Sequence, residues 1–425
     1  MVLIRTAVIF CVVILIVGGC GNQSIIDKPT TINNGEGSQH KITIWHTYSE
    51  EETEVFENQV LPLFEEEHPE IDVIPVRQAH SEQLRSAIIS RASSNQTPDI
   101  VRMDIAWLPL FAELNLLYPV SDFEDFTKIS RTLYDEPLQS NFYEDKYYGL
   151  PLNTNTKVSI FNKRLLKKAG LNHPPQTMEE ILSIAEQNGY QIGITGLTSW
   201  EILPYFYSLG GKLMDEGFTH AKGFLDSQDS IDAVKILLSY QQKGVISDRW
   251  ITKDVNAWQG IQDETYFMID EGPWFYSVQS EEQLQAIKDL TVFAPYPVTH
   301  GVGSILGGEN LVITKGTKEI EAAWTFLKWM VQEEPQSLML QTGLIPTNTN
   351  IRSSKLIDQY PYYKIYAQSI EQSFLRPPVP EWNQIDKIFQ DYLTAIFLGN
   401  MTAEHGLKEA AEEIENVLKQ ERGRS

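Results

Sequence analysis

The residue types that do most enzymatic chemistry are present in this chain, but not at the spacings such chemistry needs. Eight histidines are scattered without metal-ligand spacing. There is no His-Glu-x-x-His, no Gly-x-Ser-x-Gly, no phosphate-binding loop and no Cys-x-x-Cys. The glycine-rich run Gly301-Val-Gly-Ser-Ile-Leu-Gly-Gly308 lacks the third glycine of a dinucleotide fingerprint. Acid pairs are abundant, but 57 Asp and Glu produce them by chance, so no glycosidase-type carboxylate pair is legible. What remains is the chemistry of recognition. Aromatic residues make up 11% of the chain, with nine Trp and 18 Tyr, and that content needs a use beyond core filling. Flat rings beside a few amides and carboxylates suit a ligand with apolar C–H faces and a rim of hydroxyls, as a sugar ring has.

Thiol chemistry is excluded on other grounds. The only cysteines are Cys11 and Cys20. Arg5, the apolar run Ala7 to Val17, Gly18 and Gly19 lead to Cys20, the layout of a secretory signal with a processing site. Val17-Gly18-Gly19-Cys20 resembles the bacterial lipoprotein signal, with Val17 where leucine is usual. That resemblance implies cleavage after residue 19, lipid on Cys20 and a mature chain without disulfides, held to the cell membrane of a Gram-positive-type host. The apolar run is too short to span a bilayer comfortably. The formal charge is 34 − 57 = −23. Such acidity leaves no electrostatic footprint for nucleic acid and reads as a solvated surface.

Elements able to position a site start after a polar, turn-rich tether at residues 20–40. Lys41–Trp45 alternates as a strand, and Val55, Phe56, Val60, Leu63 and Phe64 give helical spacing over 50–67. Pro62 is expected to kink or divide that helix. Ile71–Val76 and Asp99–Met103 read as strands around a helix near 81–93. Lys157–Asn162 reads as a strand before a helix over 163–169. Thr177 and Glu180 form a capping box for a helix over 178–188. Amphipathic helices are expected over 230–243, 318–333, 382–398 and 403–419, with Trp324 and Trp329 in the core and Trp250 in the core or on the surface. This alternation predicts an α/β architecture with a largely parallel sheet.

Six blocks in order resemble the extracellular solute-binding proteins of ABC importers, the family 1 group containing maltose-binding protein. They are Lys41-Ile-Thr-Ile-Trp-His-Thr-Tyr48, Phe64-Glu-Glu-Glu-His-Pro-Glu-Ile-Asp-Val73, Thr97-Pro-Asp-Ile-Val101 with Asp104-Ile-Ala-Trp107, Tyr148-Gly-Leu-Pro151 with Ser159-Ile-Phe-Asn-Lys163, Met268-Ile-Asp-Glu-Gly-Pro-Trp274, and Gly307-Gly-Glu-Asn-Leu-Val-Ile313. The resemblance implies a two-lobed type II periplasmic-binding-protein fold with discontinuous lobes, a hinge and a ligand cleft. The expected N-terminal lobe is 41–152 plus 303–350, and the C-terminal lobe 153–302 plus 351–420.

By that resemblance the ligand loops carry Trp45, His46, Tyr48, Asp104 and Trp107 in the first lobe. Asn153 and Asn155 lie at the crossover. Trp200, Glu201, Tyr205, Trp258, Asp270, Trp274 and Trp382 lie in the second lobe, and Gly307, Gly308 and Glu309 on the returning loop. Trp45 ends a strand and fits either the core or the site. The expected function is capture of a carbohydrate, an oligosaccharide before a monosaccharide, and its delivery to permease transmembrane subunits. The chain is expected to be a monomer with no catalytic residue, cofactor or metal. The other readings are a glycerol phosphate ester or polyamine as ligand, a sensing role in place of import, and a secreted carbohydrate-active enzyme.

Overall fold

Ten strands of the computed structural model carry the architecture: β1 (His40–His46), β2 (Ile71–Arg77), β3 (Ile100–Asp104), β4 (Gly149–Asn155), β5 (Val158–Asn162), β6 (Gln191–Gly193), β7 (Tyr266–Glu271), β8 (Thr291–Ala294), β9 (Gly307–Ile313) and β10 (Ile345–Pro346). The structure describes residues 40–422 apart from 93, 95, 277, 278, 354 and 361. The signal, Cys20 and the tether through residue 39 lie outside the described residues.

The strands form a six-stranded sheet in the order β10-β4-β9-β3-β1-β2 and a four-stranded sheet in the order β8-β5-β7-β6. The expectation of a largely parallel sheet is corrected. Only β1–β2, β1–β3 and β6–β7 pair in parallel. The pairs β3–β9, β4–β9, β4–β10, β5–β8 and β5–β7 are antiparallel. Helical crossovers make β1, β2 and β3 parallel, whereas β9 re-enters from the other sheet and runs against both its neighbours.

Each sheet is buried on both faces, and strand periodicity sorts its residues between two cores. Ile100, Leu311 and Ile313 face the core holding Phe64, Trp324 and Trp329. Their neighbours Val101, Met103 and Val312 face the core of Leu84, Ile88, Trp107 and Phe111. In the second sheet Phe161 and Met268 point one way, and Ile160 and Ile269 the other. Trp250 is fully buried. The helix over 50–67 divides as the proline requires: Glu50–Val55 and Leu61–Glu67 are α-helical, with a π-helical turn at Phe56–Val60 immediately before Pro62. The wider turn keeps a carbonyl away from the pyrrolidine ring. Thr177 and Glu180 form their capping box on Met178–Asn188.

The chain passes between the sheets three times: at Thr156 and Lys157 between β4 and β5, through 295–306 between β8 and β9, and after β10, beyond which Ile351, Ile357 and Tyr363 join the second-sheet core. The first two crossings are tied together. Thr156 Oγ1 donates to the Ile305 carbonyl at 2.8 Å and lies 2.8 Å from Ser304 Oγ, which accepts from the Lys157 amide at 3.0 Å. The result is a two-lobed α/β fold with a cleft between the sheets.

Candidate binding cleft

One wall of the cleft is built at the carboxyl end of β3 and the start of β9. Asp104 caps the short 3-10 turn Ile105–Trp107, its Oδ1 accepting from the Ala106 amide at 2.8 Å, and this turn places Trp107 at the rim. Glu309 pairs with Asp104 in register across β3 and β9. Its carboxylate is held from behind: Arg102 Nη2 donates to Oε2 at 2.9 Å, and Asn153 Nδ2 donates to the same atom at 2.6 Å. Arg102 itself is buried, donates to Thr47 Oγ1 at 2.7 Å and lies over the Tyr48 ring at 4.2 Å. Burial works against its charge, but Glu309, Tyr48 and Glu52 hold its pKa above the ordinary value. Burial likewise pushes the Glu52 carboxyl up, an effect that Arg102 partly offsets.

The opposite wall comes from the second sheet and its helices. Trp200 stands in the first turn of the helix Ser199–Ser208, and Trp274 follows β7 after Gly272-Pro273. Their ring centroids lie 5.9 Å apart with a 41° tilt. Glycines make room for both indoles. A Cβ on Gly272 would meet the Trp274 ring at 2.1 Å, and one on Gly307 would meet Trp200 at 2.8 Å. The helix Trp382–Phe397 adds Trp382, Asn383 and Asp386. Asp386 Oδ1 accepts from the Ser199 amide at 3.0 Å, and burial raises its carboxyl above the usual range. Arg376, from the segment leading into that helix, reaches across: its Nη2 donates to Asp104 Oδ1 at 2.8 Å.

The space between is about 420 Å³, within the roughly 300–1,000 Å³ of small-molecule sites. Of the residues expected from sequence, Asp104, Trp107, Asn155, Trp200, Trp274, Gly308, Glu309 and Trp382 line it, as does Gly307. Trp382 contributes little surface, being 2% exposed within the second-sheet core.

The other expected residues lie outside that lining, and each has a packing reason. Trp45 packs in a first-sheet core with the Arg91 guanidinium 4.8 Å from its ring. His46 is fully buried between Tyr48 and Phe56, at ring distances of 5.1 and 5.3 Å. Tyr48 is closed off beneath Arg102. Asn153 sits behind Glu309. Glu201 completes a capping box, its Oε2 accepting from the Thr198 amide at 2.9 Å. Tyr205 is buried and donates to Asp270 Oδ1 at 2.6 Å, and Asp270 pairs with Lys157 Nζ at 2.5 Å. Trp258 stacks on Phe275 at 3.8 Å and donates to Glu271 Oε2 at 3.0 Å. These groups support the cleft walls without lining them.

Sequence reading missed six lining residues: the small Ala106 and the polar His80, Glu82, Arg376, Asn383 and Asp386. Asp386 lies four residues after Trp382, so helical spacing from that tryptophan was a usable signal for it, whereas Asn383, one residue on, had none. Arg376 stands in the Arg376-Pro-Pro-Val-Pro380 run, where nothing local marks it. Among the described residues, no group of three or more His, Cys, Asp or Glu is arranged to hold a metal ion.

The profile of the bacterial extracellular solute-binding proteins matches residues 61–365. The chain belongs to that family. This solute-binding protein is 25% identical over 383 residues to the maltotriose-binding protein of Pyrococcus abyssi, covering 83% of this chain and 78% of that one. It is 23% identical to the sn-glycerol-3-phosphate-binding periplasmic protein UgpB of Yersinia enterocolitica, covering 87% and 90%. Its fold matches the GacH receptor of Streptomyces glaucescens, solved unliganded and with acarbose, at a TM-score of 0.77 and 24% identity, covering 90% of this chain and 99% of that chain. The solute-binding protein is thus a substrate-binding component of ABC-type transport and not an enzyme. No helix among the described residues is long and apolar enough to cross a membrane.

Proposed function

We propose that this protein captures a carbohydrate outside the cytoplasm, an oligosaccharide before a monosaccharide, and delivers it to an ABC permease while tethered by lipid on Cys20. The cleft carries the reading. Trp107, Trp200, Trp274 and Trp382 offer ring faces and edges, and Asp104, Asn155, Glu309, Asn383 and Asp386 surround them as hydroxyl partners. Several aromatic planes favour more than one sugar ring, since each ring needs its own surface. The maltotriose-binding relative supports a saccharide ligand.

The lobes are 41–152 plus 303–350 and 153–302 plus 351–420, a division supported by the three crossings between sheets. Ligand bridges the two walls and shifts the population toward closure. The closed face then docks on the permease as a monomer.

A glycerol phosphate ester is the second reading, because of the UgpB relative. The cleft disfavours it: Glu82, Asp104, Glu309 and Asp386 line the space, and its one arginine is already paired with Asp104. Calorimetric titration against di- to tetrasaccharides tests the proposal. Heat from at least one saccharide, with compaction in small-angle scattering, is expected. No heat from any of them, with tight binding of a phosphodiester or polyamine, overturns it. Replacing Cys20 is expected to release the protein from cells with unchanged ligand affinity.

A further inference from the structure

Asp386 is a carboxylate without an ion-pair partner among the described residues, lining the cleft on the same wall as two indoles. Among the described residues no lysine, arginine or histidine nitrogen lies within ion-pair distance of it. Its Oδ1 accepts from the Ser199 amide at 3.0 Å and the Ser199 side chain also hydrogen-bonds to it, so its donors are neutral ones from a single residue, while the carboxyl lines the cleft. The nearest cation, Arg376, acts on it only from a distance, since that guanidinium donates to Asp104 at 2.8 Å. One turn earlier on the same helix, Asn383 Nδ2 is buried with no protein partner. Trp200 and Trp274 stand on the same wall, 5.9 Å apart and tilted by 41°, with Trp200 next to the Ser199 that Asp386 holds.

A half-buried carboxylate is destabilised unless a partner neutralises it, and indole faces attract cations. A hydroxyl would supply Asp386 with a hydrogen bond but no charge. An ammonium supplies both and also contacts the ring faces, and a charge-assisted hydrogen bond is roughly twice as strong as a neutral one. The surroundings point the same way. Four carboxylates line the cleft, with His80 and Arg376 as the only basic side chains among its described lining.

We propose that the ligand is an amine-bearing saccharide whose protonated amino group seats against the wall formed by Asp386 and the Trp200–Trp274 pair. The inference rests on the sugar-binding reading and narrows it to a substrate class. Neutral rings then occupy the remainder of the cleft, against Trp107, Asn155 and Glu309.

The test is isothermal titration with matched di- and trisaccharides of α-1,4 and β-1,4 linkage, each in hydroxyl, free-amine and N-acetylated forms, at a pH below the pKa of the amine. The expected result is that, for the linkage that binds, the free amine binds at least about tenfold more tightly than either neutral form, equivalent to about 1.4 kcal/mol. In Asp386→Asn that ratio is expected to fall to near one. Equal or tighter binding of a neutral form by the unaltered protein overturns this inference alone and leaves the sugar reading standing. Absence of binding by every form overturns both. The comparison within the unaltered protein decides the matter even where the variant folds poorly.

Discussion

Arg376 Nη2 lies 2.8 Å from Asp104 Oδ1, and this contact joins opposite walls of the cleft. Asp104 ends a strand of the six-stranded sheet, while Arg376 leads into the helix packed on the four-stranded sheet. Both side chains are largely withdrawn from solvent, at 11% and 15% exposure. Screening by water is therefore reduced, and the pair acts as a strut between the lobes.

Removing the strut is expected to favour the open form. Arg376→Gln loses the charge, while Asp104 keeps its capping bond to Ala106. The variant should show a larger radius of gyration by small-angle scattering and roughly three- to tenfold weaker ligand binding, in line with a partly buried ion pair. Identical scattering and affinity would show that the pair does not set the lobe equilibrium.

The His46 ring gives the protein an acid-sensitive stability term. Burial, with added repulsion from Arg102 and Arg77, lowers its pKa from 6.5 to about 4. In the unfolded chain the ring takes up a proton below about pH 6.5; in the folded chain it stays neutral until about pH 4. The contribution is therefore complete above pH 6.5 and is lost as the pH falls from 6.5 toward 4. The raised Glu52 carboxyl has the opposite sign, because the folded state holds that proton more tightly. Comparing urea midpoints of the native protein and His46→Phe at pH 7 and pH 5 isolates the histidine. The native protein should lose more stability between these pH values than the variant, by up to about 2 kcal/mol.

Much of the fold was legible because its signals are local. Thr177 and Glu180 announce a helix start, Pro62 announces a helix break, and alternation in Lys41–Trp45 announces a strand. The strands β4, β7 and β9 are buried along almost their whole length on both faces and so show no alternation to read. The antiparallel pairing of β4 with β9 depends on where the chain re-enters the first sheet, which no local pattern records. The cleft was legible in its aromatic residues and less so in its polar ones. Trp200 and Trp274 stand out by type. Asp270 and Glu201 look the same in sequence as Asp386, yet the first neutralises Lys157, the second caps a helix and only the third faces the cleft.

The Lys157–Asp270 pair should behave as structure and not as recognition. Its side chains are 5% and 1% exposed, and Tyr205 supplies a second donor to Asp270. Burial, and then the Asp270 charge, holds the Tyr205 hydroxyl well above its usual pKa, so it remains a donor. Lys157→Met strands a buried carboxylate and is expected to destabilise the fold by about 3–5 kcal/mol. Adding Asp270→Asn should recover much of that loss. Chemical denaturation of both single variants and the double variant measures the coupling; additive losses would show that the pair is not coupled.

The adjacent glycines of β9 should separate folding from binding. Gly308 has φ +135°, which side chains rarely adopt, and a Cβ there would lie 2.3 Å from the Asn153 carbonyl oxygen and 2.9 Å from the Thr154 Cα. Both obstacles are backbone of the paired strand β4, so relief requires the strands to part next to the irregularity between Glu309 and Asn310. Gly308→Ala is therefore expected to destabilise the fold by at least about 1–3 kcal/mol. At Gly307 a Cβ meets side-chain ends instead, Asn155 Oδ1 at 2.1 Å and the Trp200 ring at 2.8 Å. Gly307→Ala should leave the melting temperature close to that of the native protein while displacing Trp200 and weakening ligand binding roughly tenfold or more, as expected for a lost aromatic surface. Thermal denaturation and calorimetric titration of the two variants side by side distinguish these outcomes. A Gly307→Ala protein with native affinity would remove Trp200 from the recognition surface, because that substitution moves the indole without disturbing the strand beneath it.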